Sequence, residues 1–264
     1  MVFDFHTHFF PDNIATGTLE SLEKDSGFQL KPFTAGTRAS LLESMKDAGI
    51  DYSLNLPVAT NPDKVERIND VSAVLNSPPI YTTAAMHPLT PDPARVLYKA
   101  AKLGFKGIKM HPEFQNFDPL DPEIEVICGE CIKLGLFIFF HAGPDIFYKP
   151  PYRSEPAKFA ELHRRFPRLK MILAHLGSWK MWKETDRLLA GLPVYFDTSF
   201  TSGLIDEDHM CQIIRKHDPE YVLFGSDSPW QGQKESLDFI LGLPLTDEEK
   251  ELILHRNAFR LLGI

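Results

Sequence analysis

Apolar and β-branched residues gather in runs that each close on small or polar residues: "VFDFHTHF" (2–9), "DYSLNLPVA" (51–59), "IYTTAAMHP" (80–88) and "GFKGIKMHP" (104–112), then "LFIFFHAG" (136–143), "LKMILAHLG" (169–177), "VYFDTSF" (194–200) and "YVLFGSDSPW" (221–230). Their length and residue types predict eight strands. Between them the apolar spacing becomes helical, as in "TRASLLESMKDAG", with a capping pair from Ser40 to Glu43, and "DPEIEVICGECIKLG", which opens on Asp-Pro and closes on Gly135. "PDPARVLYKAAKLG", "SEPAKFAELHRRFP" and "DEDHMCQIIRKHDP" read the same way. Strict alternation with continuously apolar strands implies parallel strands buried on both faces. Eight such units in 264 residues predict one closed (β/α)8 TIM barrel, a single domain over 1–264. An open doubly wound sheet calls for a glycine-rich first turn, and "HTHFFPDN" is not one.

The segment from Phe10 to Gly36 is long for a strand-to-helix connection. It predicts a short helix near Ile14 to Lys24 and a lid over the C-terminal mouth of the barrel. The closing "TDEEKELILHRNAFRLLGI" carries acids in its first turn and an apolar stripe through Leu252, Ile253, Phe259 and Leu262, as a last barrel helix should.

A net charge of −8 argues against a nucleic-acid partner. The basic "HRRFPRLK" reads as a solvated helix end. No apolar run reaches the roughly 18 residues of a membrane span, and a strand that starts at Val2 leaves no room for a signal peptide, so a cytoplasmic protein is expected. Three cysteines do not make a disulfide framework, and Cys128 and Cys131 fall on the apolar face of a helix with no second pair to complete a zinc site.

Side chains two apart share a strand face, so His6 and His8 point one way while Phe5, Thr7 and Phe9 point the other. Two imidazoles inside a barrel need partners, since an unpaired buried polar group costs on the order of 1–3 kcal/mol. Alone, they could each be bonded to backbone. However, His141 ends strand five, His175 strand six and Asp227 strand eight. All five residues then stand on the rim where barrel active sites assemble, which points to a divalent metal.

"DFHTHFFP", "GIKMHP", "FFHAG", "LAHLGS" and "FGSDSPW", in this order and followed by "NAFRLLGI", resemble the amidohydrolase superfamily. More narrowly they are similar to its amidohydrolase-2 branch, which includes the aminocarboxymuconate-semialdehyde decarboxylase-like proteins. The resemblance implies that His6, His8, His141 and Asp227 bind one divalent ion, usually zinc. It makes His175 an acid/base beside the ion or, where two metals are present, a ligand of the second. Lys109 would then be carbamylated and bridge the two; otherwise it stays an ammonium that pairs with a substrate carboxylate or with Asp227.

Metal-assisted hydrolysis of a small, anionic amide, ester or lactone is the first expectation: the pKa of bound water falls from about 16 to roughly 7 in favourable zinc sites, Asp227 accepts a proton and His175 assists the leaving group. The alternative within the same resemblance is non-oxidative decarboxylation of a carboxylated small molecule. A barrel that keeps its metal for structure or scaffolding ranks below both, and a TatD-type nuclease would have a glutamate where Lys109 stands. His111, Arg153 and Trp230 are expected near substrate, Lys149 either there or solvated, and His87 in a structural role. Asp197 is either a network partner or a helix cap. Trp179 and Trp182 are placed at the pocket wall or at a subunit contact, and His163, His209, His217 and His255 at the surface or in caps. A homodimer is expected by analogy.

Overall fold

The computed structural model describes residues 1–264. Nine strand segments alternate with helices: β1 (Phe3–Thr7), β2 (Tyr52–Asn55), β3 (Ile80–Thr82), β4 (Ala84–Ala85), β5 (Gly107–Met110), β6 (Phe137–Phe140), β7 (Met171–Leu173), β8 (Tyr195–Asp197) and β9 (Val222–Leu223). All pair in parallel, in the orders β1-β2-β3 and β4-β5-β6-β7-β8-β9. β3 and β4 are one barrel strand broken at Thr83, whose amide still donates to the Asn55 carbonyl at 3.0 Å. The far edge closes on β1: the Phe5 amide donates to the Phe224 carbonyl at 2.7 Å and the Asp227 amide to that of His6 at 2.8 Å. The result is the eight-stranded barrel predicted by the apolar runs.

The barrel interior is filled by Phe3, Phe5, Leu54, Leu56, Phe137, Phe139, Ile172 and Leu223, with Ala258, Leu261 and Leu262 of the last helix packed on them. A larger apolar layer fills the space between strands and helices and takes in Cys128, Cys131 and Cys211 as buried free thiols. No helix is long and apolar enough to cross a membrane. Arg164 and Arg165 of the basic stretch pair with Glu161 and Glu125 at the surface, as a solvated helix end would.

The period-two reading of β1 needs correction. Phe5 belongs to the interior cluster, yet His6 also turns inward, its ring 5.1 Å from that of Phe139. Both are possible because the register slips between Asp4 and Thr7. An irregularity of this kind re-aims side chains. Gly225 lets His6 come close: a Cβ there would lie 2.8 Å from the His6 Cβ.

The connection after β1 forms a helix over Asp12–Asp25 and returns so that the Phe10 amide meets the Gly36 carbonyl at 2.8 Å and the Phe33 amide the Pro229 carbonyl at 2.7 Å. The next helix, Arg38–Ala48, starts one turn before the expected cap: Thr37 and Ser40, not Ser40 and Glu43, form the capping box. The last helix is continuous but contains a π turn over Leu252–Arg256, between α segments Asp247–Glu251 and Asn257–Leu262.

His217 is buried rather than at the surface. It stacks on Phe196 at 3.7 Å, its Nε2 donates to the Val194 carbonyl at 2.9 Å, and burial pushes its pKa down to about 4. His163, His209 and His255 are half-buried.

Candidate active site

β1, the residue that follows it and the turn after β9 bring three acceptor groups together. His6 Nε2 lies 3.1 Å from His8 Nε2, and Asp227 Oδ1 lies 3.3 Å from the first and 3.2 Å from the second. Both tautomers follow from what holds the other ring nitrogen. His6 Nδ1 is 2.7 Å from the Asp197 carboxylate, and His8 Nδ1 is 2.9 Å from the Leu56 carbonyl. Each partner only accepts, so each Nδ1 carries the proton and each Nε2 presents a lone pair. Two lone pairs and a carboxylate oxygen facing one another repel unless a cation lies among them. Burial, with Lys109 adding to it, holds the His6 imidazole well below its usual pKa, which disfavours a proton in that role. Burial pushes Asp227 up, but His6, His8 and His175 outweigh it and keep the carboxyl below its ordinary range. The donor set therefore fits a divalent metal ion.

Asp197, left between two readings by the sequence, is a network partner. Besides His6 it accepts from the His175 amide at 3.0 Å and the Ser199 amide at 2.8 Å. That support matters because His175, Leu176 and Gly177 all have positive φ, at 61°, 56° and 81°, as does Asp227 at 70°. For residues other than glycine this conformation is strained and persists only where surroundings impose it. The Leu176 amide donates to the Asp197 carbonyl at 2.6 Å, and the Trp182 indole donates to the His175 carbonyl at 3.1 Å. Trp179 is buried and packs on Phe200. The two tryptophans thus back the His175 turn and its neighbours.

His141 is brought to the site but not into the His6, His8, Asp227 trio. Its Nδ1 is 3.2 Å from His175 Nε2, so it stands one imidazole further round the rim. Its Nε2 is buried without a hydrogen-bond partner, 3.8 Å from Asp145 Oδ2. His111 stacks parallel between His141 and Phe114, at 4.0 and 4.1 Å. The Phe114 amide donates to His111 Nδ1 at 3.3 Å, so Nε2 carries the proton and donates to Asp145 Oδ2, also at 3.3 Å. His111, His141 and Asp145 lie close enough to suggest a second metal cluster. The protonated His111 Nε2 and the parallel rings do not offer converging lone pairs.

Lys109 is fully buried, with Nζ 4.5 Å from the Phe139 ring centre. Burial lowers its pKa to about 8, while Asp197 and Asp227 pull the other way without either reaching ion-pair contact. Arg153 is tied down: its amide donates to Glu113 Oε1 at 2.6 Å and its guanidinium to Asn116. Lys149 is exposed. Trp230 is half-buried, its amide on the Asp227 carbonyl at 2.8 Å. His87 is buried and its Nδ1 accepts from the Leu89 amide at 3.1 Å, the structural role expected.

Sequence reasoning passed over Asp145, Ser199, Glu113 and Gln115. The last is a hub: its Nε2 donates to the Ala59 and Met86 carbonyls at 2.7 and 2.6 Å, and its Oε1 accepts from the His111 amide at 2.8 Å. The only signal was position, since each follows within a few residues of a strand-end histidine or aspartate.

Comparison with known proteins agrees with this geometry. Over residues 3–264 the chain matches the family model described as Amidohydrolase. It is 23% identical over 245 residues, 73% of this chain and 72% of the other, to Decarboxylase orsB of Emericella nidulans. Among solved structures it is similar to 5-carboxyvanillate decarboxylase LigW from Sphingomonas paucimobilis, at TM-score 0.73 and 17% identity, covering 100% of this chain and 99% of that one. A second is 5-carboxyvanillate decarboxylase from Novosphingobium aromaticivorans, solved with manganese and 4-hydroxy-3-methoxy-5-nitrobenzoic acid; TM-score is 0.73 and identity 14%, covering 100% of this chain and 96% of that one. With the family model matched from β1 to the last helix and the rim histidines and aspartate in place, the chain belongs to the amidohydrolase family of enzymes.

Proposed function

We propose that this protein is a metal-dependent, non-oxidative decarboxylase of a small carboxylated aromatic compound. The observation that carries the metal part is the trio of facing acceptors on His6, His8 and Asp227. The similarity to proteins named as decarboxylases supports this reaction over hydrolysis, the first expectation from sequence. His6, His8 and Asp227 hold the ion; His141, the fourth ligand implied by the sequence resemblance, stands one imidazole further round the rim against His175 and is left out of the set. Two imidazoles and a carboxylate suit zinc, and manganese is the second ion to load, given the relative solved with it.

The bound ion supplies positive charge that binds and polarises the substrate's oxygen atoms. Lys109, a buried ammonium without a carboxylate partner, holds the anionic group. His175 takes up a proton at Nε2 and delivers it to the ring carbon that bears the carboxylate. The carbon–carboxylate bond then breaks, its electron pair returns to the ring, and carbon dioxide leaves. His111 and Trp230 bound the substrate, Arg153 fixes the loop beside it through Glu113 and Asn116, and the segment from Phe10 to Gly36 acts as the lid. A second ion, with Lys109 carbamylated, is not part of this reading. A cytoplasmic setting, a small-molecule partner only and a homodimer complete the proposal; the three unpaired thiols suit a reducing compartment.

The test is carbon dioxide release from hydroxylated benzoates by protein loaded with zinc or with manganese, with and without chelator. Release that depends on the metal is expected. Turnover of esters, lactones or amides with no carbon dioxide would overturn the decarboxylase reading in favour of hydrolysis.

A further inference from the structure

The network behind the two central imidazoles meets at one hydroxyl. Ser199 is fully buried, and its Oγ lies 2.9 Å from His6 Nδ1 and 2.9 Å from His175 Nδ1 while also bonding Asp197 Oδ1. A hydroxyl has one proton to donate and two lone pairs with which to accept. The Asp197 carboxylate only accepts, and its Oδ1 already receives the His175 and Ser199 amides. The Ser199 proton therefore goes to Asp197, and both of its lone pairs are left for the two imidazoles.

That count closes only if His6 and His175 both carry their proton on Nδ1. The remaining contacts agree: His6 Nδ1 also meets Asp197 Oδ2 at 2.7 Å, and His175 Nδ1 also meets the Ser199 carbonyl at 3.1 Å. The other tautomer at either ring would turn a lone pair towards a carboxylate or carbonyl oxygen in a buried site, where nothing offsets the loss. It also explains why His6, His175 and Asp197, though close, do not form an ion site of their own. Their facing atoms are already joined by hydrogen bonds.

We propose that Ser199 is a positioning residue that locks His6 and His175 into the same tautomer, so that one hydroxyl sets both the lone pair on the ion-facing Nε2 of His6 and the lone pair on His175 Nε2, which lies 3.2 Å from His141 Nδ1. What those two nitrogens do rests on the proposed function, but the tautomers stand on the hydrogen bonds alone. Neutral His175 then accepts at Nε2, and it can give a proton from that atom only after taking one up there.

The experiment is ring-nitrogen NMR on histidine-labelled full-length protein, metal-free and zinc-loaded, with zinc affinity measured by chelator competition. In the unaltered protein both rings are expected wholly in the Nδ1–H form. In Ser199→Ala, His175 keeps only the residue 199 carbonyl, so an Nε2–H population appears at that ring and zinc affinity falls roughly 10-fold. An Nε2–H tautomer at either ring of the unaltered protein overturns the proposal without need of any variant. So does a Ser199→Ala protein with unchanged tautomers and unchanged zinc affinity, even if it melts at a lower temperature. Neither readout involves substrate, so the absence of carbon dioxide release bears on the reaction alone.

Discussion

At the scale of single residues, the site works by removing alternatives. His8 can present only Nε2 because the Leu56 carbonyl takes its Nδ1 proton, and Asp227 is held at positive φ where its Oδ1 faces both histidines. Lys109 is the opposite case, a buried cation left without an anion in contact. A buried charge without a partner is costly, and an anionic substrate group would offset that cost. Lys109→Met keeps the stem's packing on Phe139 and removes the charge, so the proposed reaction predicts a fall in kcat/KM of about 100-fold or more, equal to about 3 kcal/mol of lost binding in the transition state. Steady-state kinetics on the preferred benzoate measures it. Unchanged kinetics would remove Lys109 from the substrate site.

At the scale of elements, side chains that never touch substrate decide where the rim residues stand. Gln115 spans carbonyls from two neighbouring connections and the amide of His111. Gln115→Ala strands three buried backbone groups, and at on the order of 1–3 kcal/mol for an unsatisfied group a loss of several kcal/mol is expected in denaturant unfolding. A loss below about 0.5 kcal/mol, the ordinary surface range, would mean that water replaces the amide. His217, at the end of the helix Glu207–His217, ties that helix to the β8 edge through Val194. Its folded pKa of about 4 lies below the ordinary 6.5, so between those values the unfolded chain binds a proton that the native state does not. Stability from this group is present above pH 6.5 and lost as pH falls through 4; the difference is about 3 kcal/mol at 1.36 kcal/mol per unit. Unfolding of His217→Gln between pH 7 and 4 should be less steeply pH-dependent than that of the unaltered protein. Parallel pH curves would show that His217 does not titrate as its burial requires.

At the scale of the whole molecule, the proposed ion site and the closure of the barrel share the same seam. β1 and the residue just beyond it carry two of the proposed ligands, His6 and His8, and β1 also forms the seam with the turn after β9 that carries the third. An ion held at that seam stabilises the native state by RT ln(1 + [L]/Kd), about 4 kcal/mol at a thousandfold excess over Kd. For a chain of this size that corresponds to a melting shift of roughly 10 °C. Calorimetry with zinc, then with excess chelator, should show a drop of that order that reverses when metal is restored. A melting temperature indifferent to chelator would place the ion elsewhere or remove it.

The eight strands and the placing of His6, His8, His141, His175 and Asp227 at strand ends were legible in the sequence, because burial on both faces demands unbroken apolar runs and the residues that end them must lie on the rim. Which of these residues share an ion position was not. The slip in β1 that turns both Phe5 and His6 inward depends on pairing with β2 and with the strand closing the barrel, and a period of two carries no trace of it. Likewise Ser199, Asp145 and Gln115 acquire their roles only from partners far away in the chain or on other turns, so a hydroxyl in "DTSF" gives no sign of the two imidazoles it serves. The sequence determined the barrel and the inventory of its rim, since those follow from local period and burial. Tertiary structure decided tautomers, ligand grouping and strain, since each of those is set by contacts between segments that meet only when the barrel closes.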